Sequence, residues 1–521
     1  MEASRRTVIG AGAAIGAAGI LGGITSAVSA RPRPRGILAE NLRDGSDDWR
    51  PEGNGVRASR DDWPNYIQAY ASATSVAAGE SLAFHVSVGD GAEYVISIYR
   101  LGYYGGAGAR LMTRSSKVRG AAQRAPKLLT GTGTVHCGWE PSWRMEVPDF
   151  WVSGLYVACF TTPDGRRACT PFVVRDDARV SDFLVVLPFT TYQAYNMFPG
   201  DGVIGRNLYK GYVQPGDPSL TAVSPDGKIY PGVPVSGRSF LMHYPARARA
   251  VTFGRPYAGG GLPSLFDFDL NFIKWAEERG LDVSYASSLD LHDGTVRPSR
   301  HRAVLFSGHD EYWSAAMRDR AERAVQNGTH LAFFAANNIY FQVRIQRDAQ
   351  GFPLMTCYKS DPDPVTSGIG RTTRWRDLSP EGSNAEQGLL GTQYIGMCTK
   401  AYPLVVRHPR HWLWAGTGVD KGDRLDGLVT GEADGIVRGM ARPDEEQILL
   451  SESPFRGHHG GEKRYTYFHR TSLYQAKSGA WVFNAGTFGW VTALSDVSSK
   501  PDKRIQRATT NLLRRFDDRR H

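Results

Sequence analysis

Cysteine is scarce in this chain, and its spacing excludes a zinc–thiolate site. Five of the 521 residues are cysteine: Cys137, Cys159, Cys169, Cys357 and Cys398. No two of them have the Cys-x-x-Cys spacing that such sites commonly use. The odd number excludes complete pairing within the chain. Cys159 and Cys169 flank a Thr-Pro-Asp-Gly turn, so they either form one disulfide outside the cytoplasm or act as small buried side chains.

The short motifs of covalent catalysis are also missing. The chain contains no Gly-x-Ser-x-Gly sequence, the turn that presents a nucleophilic serine in many hydrolases. A buried strand predicted at 331–336 is followed by Asn337 and Asn338, with no serine or cysteine where a nucleophile would stand. A covalent serine or cysteine mechanism therefore lacks its principal residue.

The positive charge of the chain does not indicate nucleic-acid binding. The net charge is +10, but the 62 basic residues are scattered, with small clusters only at 31–35 and 514–520. No basic stripe and no known binding module accompanies them, so we expect no nucleic-acid partner. Beyond the N-terminal segment, no stretch is long and apolar enough to span a bilayer.

Residues 1–30 have the pattern of a twin-arginine export signal. Arg5 and Arg6 precede an Ala- and Gly-rich stretch at 10–28, and Val28-Ser29-Ala30 offers a cleavage site of small residues. The alternative is an uncleaved membrane anchor, but the stretch is only weakly apolar. We therefore expect a periplasmic, cell-wall-associated or extracellular protein that meets the membrane only during export.

The mature chain divides into two predicted domains after a lead-in segment at 31–55. At 56–176, short runs of alternating apolar and polar residues are separated by Gly-rich turns, which predicts a β-sandwich. At 180–521, buried-strand runs alternate with helical patterns, which predicts a parallel α/β sheet. A long insertion rich in Gly, Pro and Trp occupies about 346–429.

A strand–helix–strand unit lies in the second domain. Apolar runs at Ala303–Phe306 and 331–336 enclose a helical pattern at Ala315–Gln326. The two strands should be parallel neighbours, and ligands of such sheets bind at the carboxyl ends of the strands. The polar segments 307–314 and 337–340 follow these ends. We therefore expect four side chains to converge on one pocket: His309, Glu311, Tyr312 and Tyr340.

Two segments offer polar side chains for chemistry. His309, Glu311 and Tyr312 supply nitrogen and oxygen donors for a metal, although a lone His-x-Glu motif also fits a surface loop. The turn-rich segment 427–435 contributes Glu432 and Asp434, which a solvated loop would equally explain. The residues alone leave these alternatives open.

Longer strings in the chain resemble the N,N-dimethylformamidase large (beta) subunit family. The most specific are Arg-Leu-Gly-Tyr-Tyr-Gly-Gly at 100–106 and Gly-His-Asp-Glu-Tyr-Trp at 308–313. Others lie at 70–76, 191–196 and 337–340. The resemblance implies a multidomain fold in which a β-sandwich precedes a glutamine-amidotransferase-like (flavodoxin-like) parallel-sheet domain, here lacking the Cys nucleophile.

The resemblance also implies a mononuclear Fe³⁺ site with two tyrosines and one glutamate as ligands. Carried over by position, these are Tyr312, Tyr340 and Glu432; the segment 428–432 matches the family pattern only in part. Two phenolates and one carboxylate are hard oxygen donors, and their three negative charges neutralise Fe³⁺. Such an ion polarises an amide carbonyl and activates water.

The same chemistry needs groups that move protons and bind the carbonyl. His309 and Glu311 are our candidates for proton transfer, and Asn337 or Asn338 for a hydrogen bond to the substrate carbonyl. The family's amidase works with a small partner subunit, and no segment here resembles an appended one. A separate small subunit and a homo-oligomer both stay open.

We therefore expect an exported, iron-dependent hydrolase that cleaves the C–N bond of a formamide-type or related small amide. Export is unusual for an enzyme that degrades a solvent, which indicates a diverged substrate. One alternative is a non-catalytic, carbohydrate- or cell-wall-directed binding protein with a degenerate α/β domain. Another is metal-dependent hydrolysis of a different bond.

Overall fold

The computed structural model describes most of the chain. The described residues are 36–59, 66–213, 240–243, 246–366, 370–379, 382–459 and 465–518. The predicted export signal at 1–30 lies outside them. Within these ranges, no helix is long and apolar enough to cross a membrane. From Gly36 onward the chain forms one compact unit, so the division at 56–176 and 180–521 stays a prediction.

Short helices are spread along the chain. They are α1 Ile37–Asn41, α2 Phe189–Tyr195, α3 Phe266–Glu278, α4 Ser288–Asp293, α5 Ala315–Gln326, α6 Gln387–Leu390, α7 Phe488–Thr492 and α8 Lys503–Asp517. One of them, α5, has the bounds that the sequence predicts for the helix of the strand–helix–strand unit. The start of α5 is fixed by Ser314, whose hydroxyl accepts a hydrogen bond from the Met317 N–H.

Most of the N-terminal strands form two sheets that pack face to face, and two short strands, β7 and β8 below, form a separate pair. The strands are β1 Arg57–Ala58, β2 Ile67–Ala71, β3 Ser75–Ala77, β4 Ser81–Val88, β5 Val95–Leu101, β6 Ala109–Arg114, β7 Lys127–Leu129, β8 Thr134–His136, β9 Trp143–Glu146, β10 Gly154–Thr161 and β11 Arg166–Arg175. The sheet orders are β1-β11-β10-β5-β6 and β2-β4-β9, with β3 also paired to β11. The Phe84 ring lies 5.6 Å from Phe160 and 5.8 Å from Phe172 across the interface. The buried face of each sheet thus closes one apolar core.

The remaining strands build a large mixed sheet and several small ones. They are β12 Phe183–Leu187, β13 Lys210–Val213, β14 Phe240–His243, β15 Ala250–Thr252, β16 Val283–Ser287, β17 Ala303–Phe306, β18 Tyr312–Ser314, β19 His330–Phe333, β20 Phe341–Arg347, β21 Pro353–Thr356, β22 Gln393–Cys398, β23 Tyr402–Val405, β24 Arg424–Val429, β25 Glu432–Gly435, β26 Ile448–His458, β27 Tyr465–Gln475 and β28 Trp481–Asn484. The large sheet has the order β16-β12-β17-β19-β28-β27-β26-β22-β25. Its strands are parallel from β16 to β28 and antiparallel beyond.

The predicted strand–helix–strand unit is confirmed. It consists of β17, α5 and β19, and the two strands pair in parallel with Leu305 opposite Ala332. The segment predicted as an insertion, about 346–429, is more than a loop. It supplies β22, which joins the large sheet between β26 and β25. The fold as a whole is mixed and mostly β, with several sheets.

A buried ion pair joins the β-sandwich to the α/β part. Arg100 on β5 donates to both carboxylate oxygens of Glu277 on α3, at 2.8 Å and 2.9 Å, and both side chains are fully buried. The Tyr285 hydroxyl donates to the same carboxylate at 2.9 Å. Removing one member of such a pair leaves an uncompensated buried charge, which is strongly destabilising.

Glu277→Gln should therefore lower the free energy of unfolding by about 3–5 kcal/mol, because Arg100 loses its counter-charge. Glu278→Gln, at the neighbouring and half-exposed position, should change it by no more than about 0.5 kcal/mol. Equilibrium denaturant unfolding of both variants measures the difference. Equal free energies of unfolding for the two variants would show that the Arg100–Glu277 pair does not anchor the β-sandwich to the α/β part.

The structure contains a disulfide between Cys159 and Cys169. The two residues face each other across the antiparallel strands β10 and β11. Of the two alternatives that the sequence leaves open, the disulfide is thus the one observed. Cys137 and Cys357 are buried, whereas Cys398 is partly exposed.

Thiol labelling of the oxidised protein should follow this burial pattern. In the native state, only Cys398 should react quickly with a maleimide, because the Cys137 and Cys357 thiols are shielded. After denaturation without reductant, all three should react, and mass spectrometry should find the Cys159 and Cys169 peptides linked. Labelling of Cys159 or Cys169 under these conditions would contradict the pairing.

Candidate active site

Hydrogen bonds join the two loops that follow the parallel strands β17 and β19. The Asp310 N–H donates to the side-chain oxygen of Asn338 at 3.1 Å, and the Ile339 N–H donates to the Asp310 carbonyl at 2.9 Å. Asn337 and Ile339 have positive φ angles of 55° and 56°. A β-branched residue rarely adopts this left-handed conformation, so the second loop holds strain beside the site.

The Glu311 carboxylate lies at the centre of the cluster that these loops form. The Tyr195 hydroxyl donates to Oε2 at 2.8 Å, and the Tyr209 hydroxyl lies 2.6 Å from Oε1 and 2.7 Å from Oε2. His309 Nε2 lies 3.4 Å from Oε2. Glu311 is only 1% exposed. Two phenols and an imidazole therefore replace water around its negative charge.

Burial and charge act in opposite directions on the pKa of Glu311. Burial raises this pKa, but the hydrogen bond and the positive charge of His309 outweigh burial and lower it below its usual value. Burial also raises the pKa values of Tyr195 and Tyr209 far above their usual range, and the charge of Glu311 raises them further. In the protein alone, both phenols are protonated and donate to an ionised carboxylate.

A buried lysine faces the same tyrosines. The Lys359 Nζ atom lies 3.2 Å from the centroid of the Tyr209 ring and 5.4 Å from that of the Tyr312 ring. Burial lowers the pKa of Lys359 to about 7, although the charge of Glu311 opposes this shift. The Lys359 amine, which is partly charged at neutral pH, therefore lies against the aromatic rings of the cluster.

Glu432 lies on the other side of His309. Its Oε2 atom is 3.4 Å from His309 Nε2 and accepts a hydrogen bond from the Asn337 side chain at 3.1 Å. Burial raises the pKa of Glu432 to about 7, although the charge of His309 lowers it. Burial lowers the pKa of His309, but Glu432 and Glu311 outweigh burial and raise it to about 9. A protonated imidazole thus bridges two carboxylates of different pKa, an arrangement suited to proton transfer.

The predicted catalytic residues occupy different positions in this cluster. His309, Glu311 and Asn337 lie together, and Asn337 is bound to Glu432 through its side chain and to the Asp434 carboxylate through its N–H at 2.9 Å. The Asn338 side chain accepts a hydrogen bond from the Asp310 N–H and donates one to the Ala335 carbonyl, both of them backbone groups. It therefore holds the loops together.

The predicted metal ligands Tyr312, Tyr340 and Glu432 border the cluster. The Tyr312 hydroxyl is buried and has no hydrogen-bond partner among the described residues, so it is available to a ligand. The Tyr312 ring centroid is 6.5 Å from that of Tyr195 and 6.4 Å from that of Tyr209. The Tyr340 ring lies 5.4 Å from Tyr394 and 5.0 Å from the Arg376 guanidinium. Their assignment as ligands stays a prediction.

The residue-by-residue reasoning missed three members of the cluster: Tyr195, Tyr209 and Lys359. Tyr195 belongs to the motif at 191–196 that carries part of the family resemblance. That motif could have pointed to Tyr195 as a site residue. Tyr209 lies outside every helix and strand predicted from the sequence, and Lys359 lies inside the predicted insertion. Only the tertiary structure brings these two to Glu311.

Sequence comparison connects this cluster with a family. The family model described as "N,N-dimethylformamidase beta subunit-like, C-terminal" matches residues 95–504, which contain every residue of the cluster. The chain belongs to this family. The resemblance seen in the motifs is thereby confirmed.

Two curated relatives are each named N,N-dimethylformamidase beta subunit. The protein from Paracoccus aminophilus is 22% identical over 431 residues, and the protein from Alcaligenes sp is 23% identical over 426 residues. Each match covers 73% of this chain and 54% of the relative. The chain therefore spans about half the length of the curated relatives it matches.

A solved structure of a Paenibacillus cycloisomaltooligosaccharide glucanotransferase covers 67% of this chain and 62% of its own chain. Its sequence is 10% identical, and the TM-score is 0.17. This likeness is too weak to carry an argument about fold or activity.

Proposed function

We propose that this protein is an iron-dependent hydrolase that cleaves the C–N bond of an amide. Family membership supports the proposal, and one observation carries it. The hydroxyls of Tyr195 and Tyr209 meet the buried carboxylate of Glu311 at 2.6–2.8 Å. These are the donor types that the family resemblance implies for a ferric ion. Their convergence favours an enzyme over a non-catalytic binding protein.

We propose Tyr195, Tyr209 and Glu311 as one candidate set of metal ligands, beside the set Tyr312, Tyr340 and Glu432 that the family resemblance implies. Tyr195, Tyr209 and Glu311 offer hard oxygen atoms, which suit a small and highly charged cation. Such a cation would replace the two phenolic protons, since its charge favours the phenolate form. Among the described residues, no three His, Cys, Asp or Glu side chains are grouped as a metal site. The fit therefore rests on the two tyrosines.

These side chains would hold a ferric ion, which would supply Lewis acidity at the carbonyl of an amide. The remaining chemistry belongs to residues of the chain. Glu432, with a pKa of about 7, accepts a proton from the attacking water and passes it to the leaving nitrogen. His309 holds Glu432 and Glu311 together with its positive charge. Asn337 positions Glu432 through its side-chain amide.

Further parts of the proposal concern the surroundings of this site. The relatives' name, beta subunit, supports a separate small subunit for this chain as well. The Cys159–Cys169 disulfide supports export to an oxidising compartment. The parallel strands β16-β12-β17-β19-β28 follow the order 2-1-3-4-5 along the chain, which supports a flavodoxin-like, glutamine-amidotransferase-like domain.

Iron analysis and visible spectroscopy of the purified mature chain can separate the two ligand sets. We expect about one iron per chain and a coloured tyrosinate band. Tyr195→Phe and Tyr209→Phe each remove a phenolate, so each should weaken or shift the band and lower the iron content. Tyr340→Phe is the matched control, since it makes the same chemical change and should leave both unchanged.

The opposite pattern, in which Tyr340→Phe alone removes the band, would restore the set predicted from sequence position. A colourless protein that takes up no iron on reconstitution would overturn the iron-dependent function itself.

Glu432→Gln should abolish proton transfer without removing the metal. With whichever formamide the enzyme hydrolyses best, we expect kcat to fall by about 10²-fold or more, because a glutamine side chain at this position cannot accept a proton from water. Iron content should stay at the wild-type level. Glu446→Gln, on the exposed segment before β26, is the surface control. A Glu432→Gln variant that retains wild-type kcat would exclude this role.

A further inference from the structure

Helix α2 presents two hydroxyl groups toward the loop that carries Glu311. The helix begins two residues after strand β12, and β12 pairs in parallel with β17, which precedes that loop. Thr191 and Tyr195 are four residues apart on α2, and side chains at this spacing share one face of a helix. Both belong to the motif at 191–196, but the proposed function uses only Tyr195.

The Thr191 hydroxyl binds the backbone of the residue whose carboxylate Tyr195 binds. Its oxygen accepts a hydrogen bond from the Glu311 N–H at 2.9 Å and a longer one from the Tyr312 N–H at 3.4 Å. The Tyr195 hydroxyl donates to the Glu311 carboxylate at 2.8 Å. One face of α2 thus contacts Glu311 at two points, one on its backbone and one on its side chain.

The backbone of Glu311 is also held from the opposite direction. Its carbonyl accepts a hydrogen bond from the Phe341 N–H at 2.9 Å. Thr191 is 0% exposed and Glu311 is 1% exposed, so both hydrogen-bonding groups lie in the interior. Without the Thr191 hydroxyl, the Glu311 N–H would lose this acceptor in a buried place, which costs about 1–3 kcal/mol.

A metal ligand depends on such contacts more than an ordinary buried residue does. The direction of the Glu311 side chain follows from its backbone, so a rotation of the backbone moves the carboxylate away from the two phenols. Groups that orient a ligand without touching the metal are therefore part of a metal site. Their loss typically lowers metal affinity by about 10–100-fold.

We propose that Thr191 is a positioning residue of the metal site: its hydroxyl fixes the backbone of Glu311 so that the carboxylate meets the Tyr195 oxygen. The inference rests on the proposed function, because it concerns the ligand set Tyr195, Tyr209 and Glu311. Since the hydroxyl binds the Glu311 N–H, Thr191 acts through this ligand and not on the substrate.

The neighbouring Thr190 provides a matched control. It is also fully buried on α2, but its hydroxyl has no hydrogen-bond partner among the described residues. Its backbone N–H donates to the Ser288 hydroxyl at 3.0 Å, and valine keeps this N–H. Thr190→Val therefore makes the same chemical change as Thr191→Val, one residue away, without removing a hydrogen bond from Glu311.

The test compares Thr191→Val, Thr191→Ser and Thr190→Val in the iron-loaded mature protein. Competition with a chelator measures iron affinity, and the tyrosinate band reports the geometry of the ligands. We expect Thr191→Val to bind iron about 10–100-fold more weakly and to shift the band. Thr191→Ser keeps the hydroxyl and should restore both properties, and Thr190→Val should match the wild type.

A purely structural role of Thr191 predicts a different result. Thr191→Val would then be less stable in denaturant unfolding, yet it would keep the wild-type iron affinity and the wild-type band. That result would overturn the positioning role while the hydrolase stands. If Thr191→Val does not fold, Thr191→Ala carries the same comparison, because it also lacks the hydroxyl.

Crystal structures of the iron-free variants separate this inference from the proposed function. In Thr191→Val we expect the Glu311 carboxylate to lose its contact with the Tyr195 hydroxyl, whereas Thr190→Val should keep it. A wild type that takes up no iron, together with this displacement, would overturn the hydrolase but support the positioning of Glu311 by Thr191. An unmoved carboxylate in Thr191→Val would overturn the positioning role, whether or not the wild type binds iron.

Discussion

The cluster depends on keeping one carboxylate ionised in the interior of the protein. Burying a charge costs several kcal/mol unless other groups compensate it. Glu311 is compensated by Tyr195, Tyr209 and His309, and the charge of Lys359 also acts on it. These groups come from α2, the segment before β13, the loop after β17 and the connection after β21. A single charge thus fixes the relative positions of four distant parts of the chain.

Strand pairing and hydrogen bonds hold the scaffold around this charge. Parallel strands β17 and β19 end side by side, and Asn338 joins the loops that follow them. The left-handed backbone at Asn337 and Ile339 directs Asn337 toward Glu432. Strain of this kind persists only where surrounding contacts outweigh it, which is common at functional sites. At a distance from the site, the Arg100–Glu277 pair fastens the β-sandwich to α3.

Local patterns in the sequence predict the elements of the fold better than they predict the site. The strand Ala303–Phe306 and the helix Ala315–Gln326 have the bounds that apolar periodicity predicts, because both depend on neighbouring residues. The convergence of His309, Glu311 and Asn337 follows from the parallel strand pair. Tyr209 and Lys359 could not be found this way, since contacts more than 40 residues distant in sequence place them beside Glu311. The role of β22 was hidden for the same reason, because its partners β25 and β26 follow it in the chain.

The central proposal is that Tyr195, Tyr209 and Glu311 hold a ferric ion. Crystals of the iron-loaded mature chain, measured on both sides of the iron absorption edge, would locate the ion directly. The account predicts one anomalous peak within coordination distance of oxygen atoms of all three side chains. A peak at Tyr340 or at Glu432 without these residues, or the absence of any iron peak from iron-saturated crystals, would contradict it.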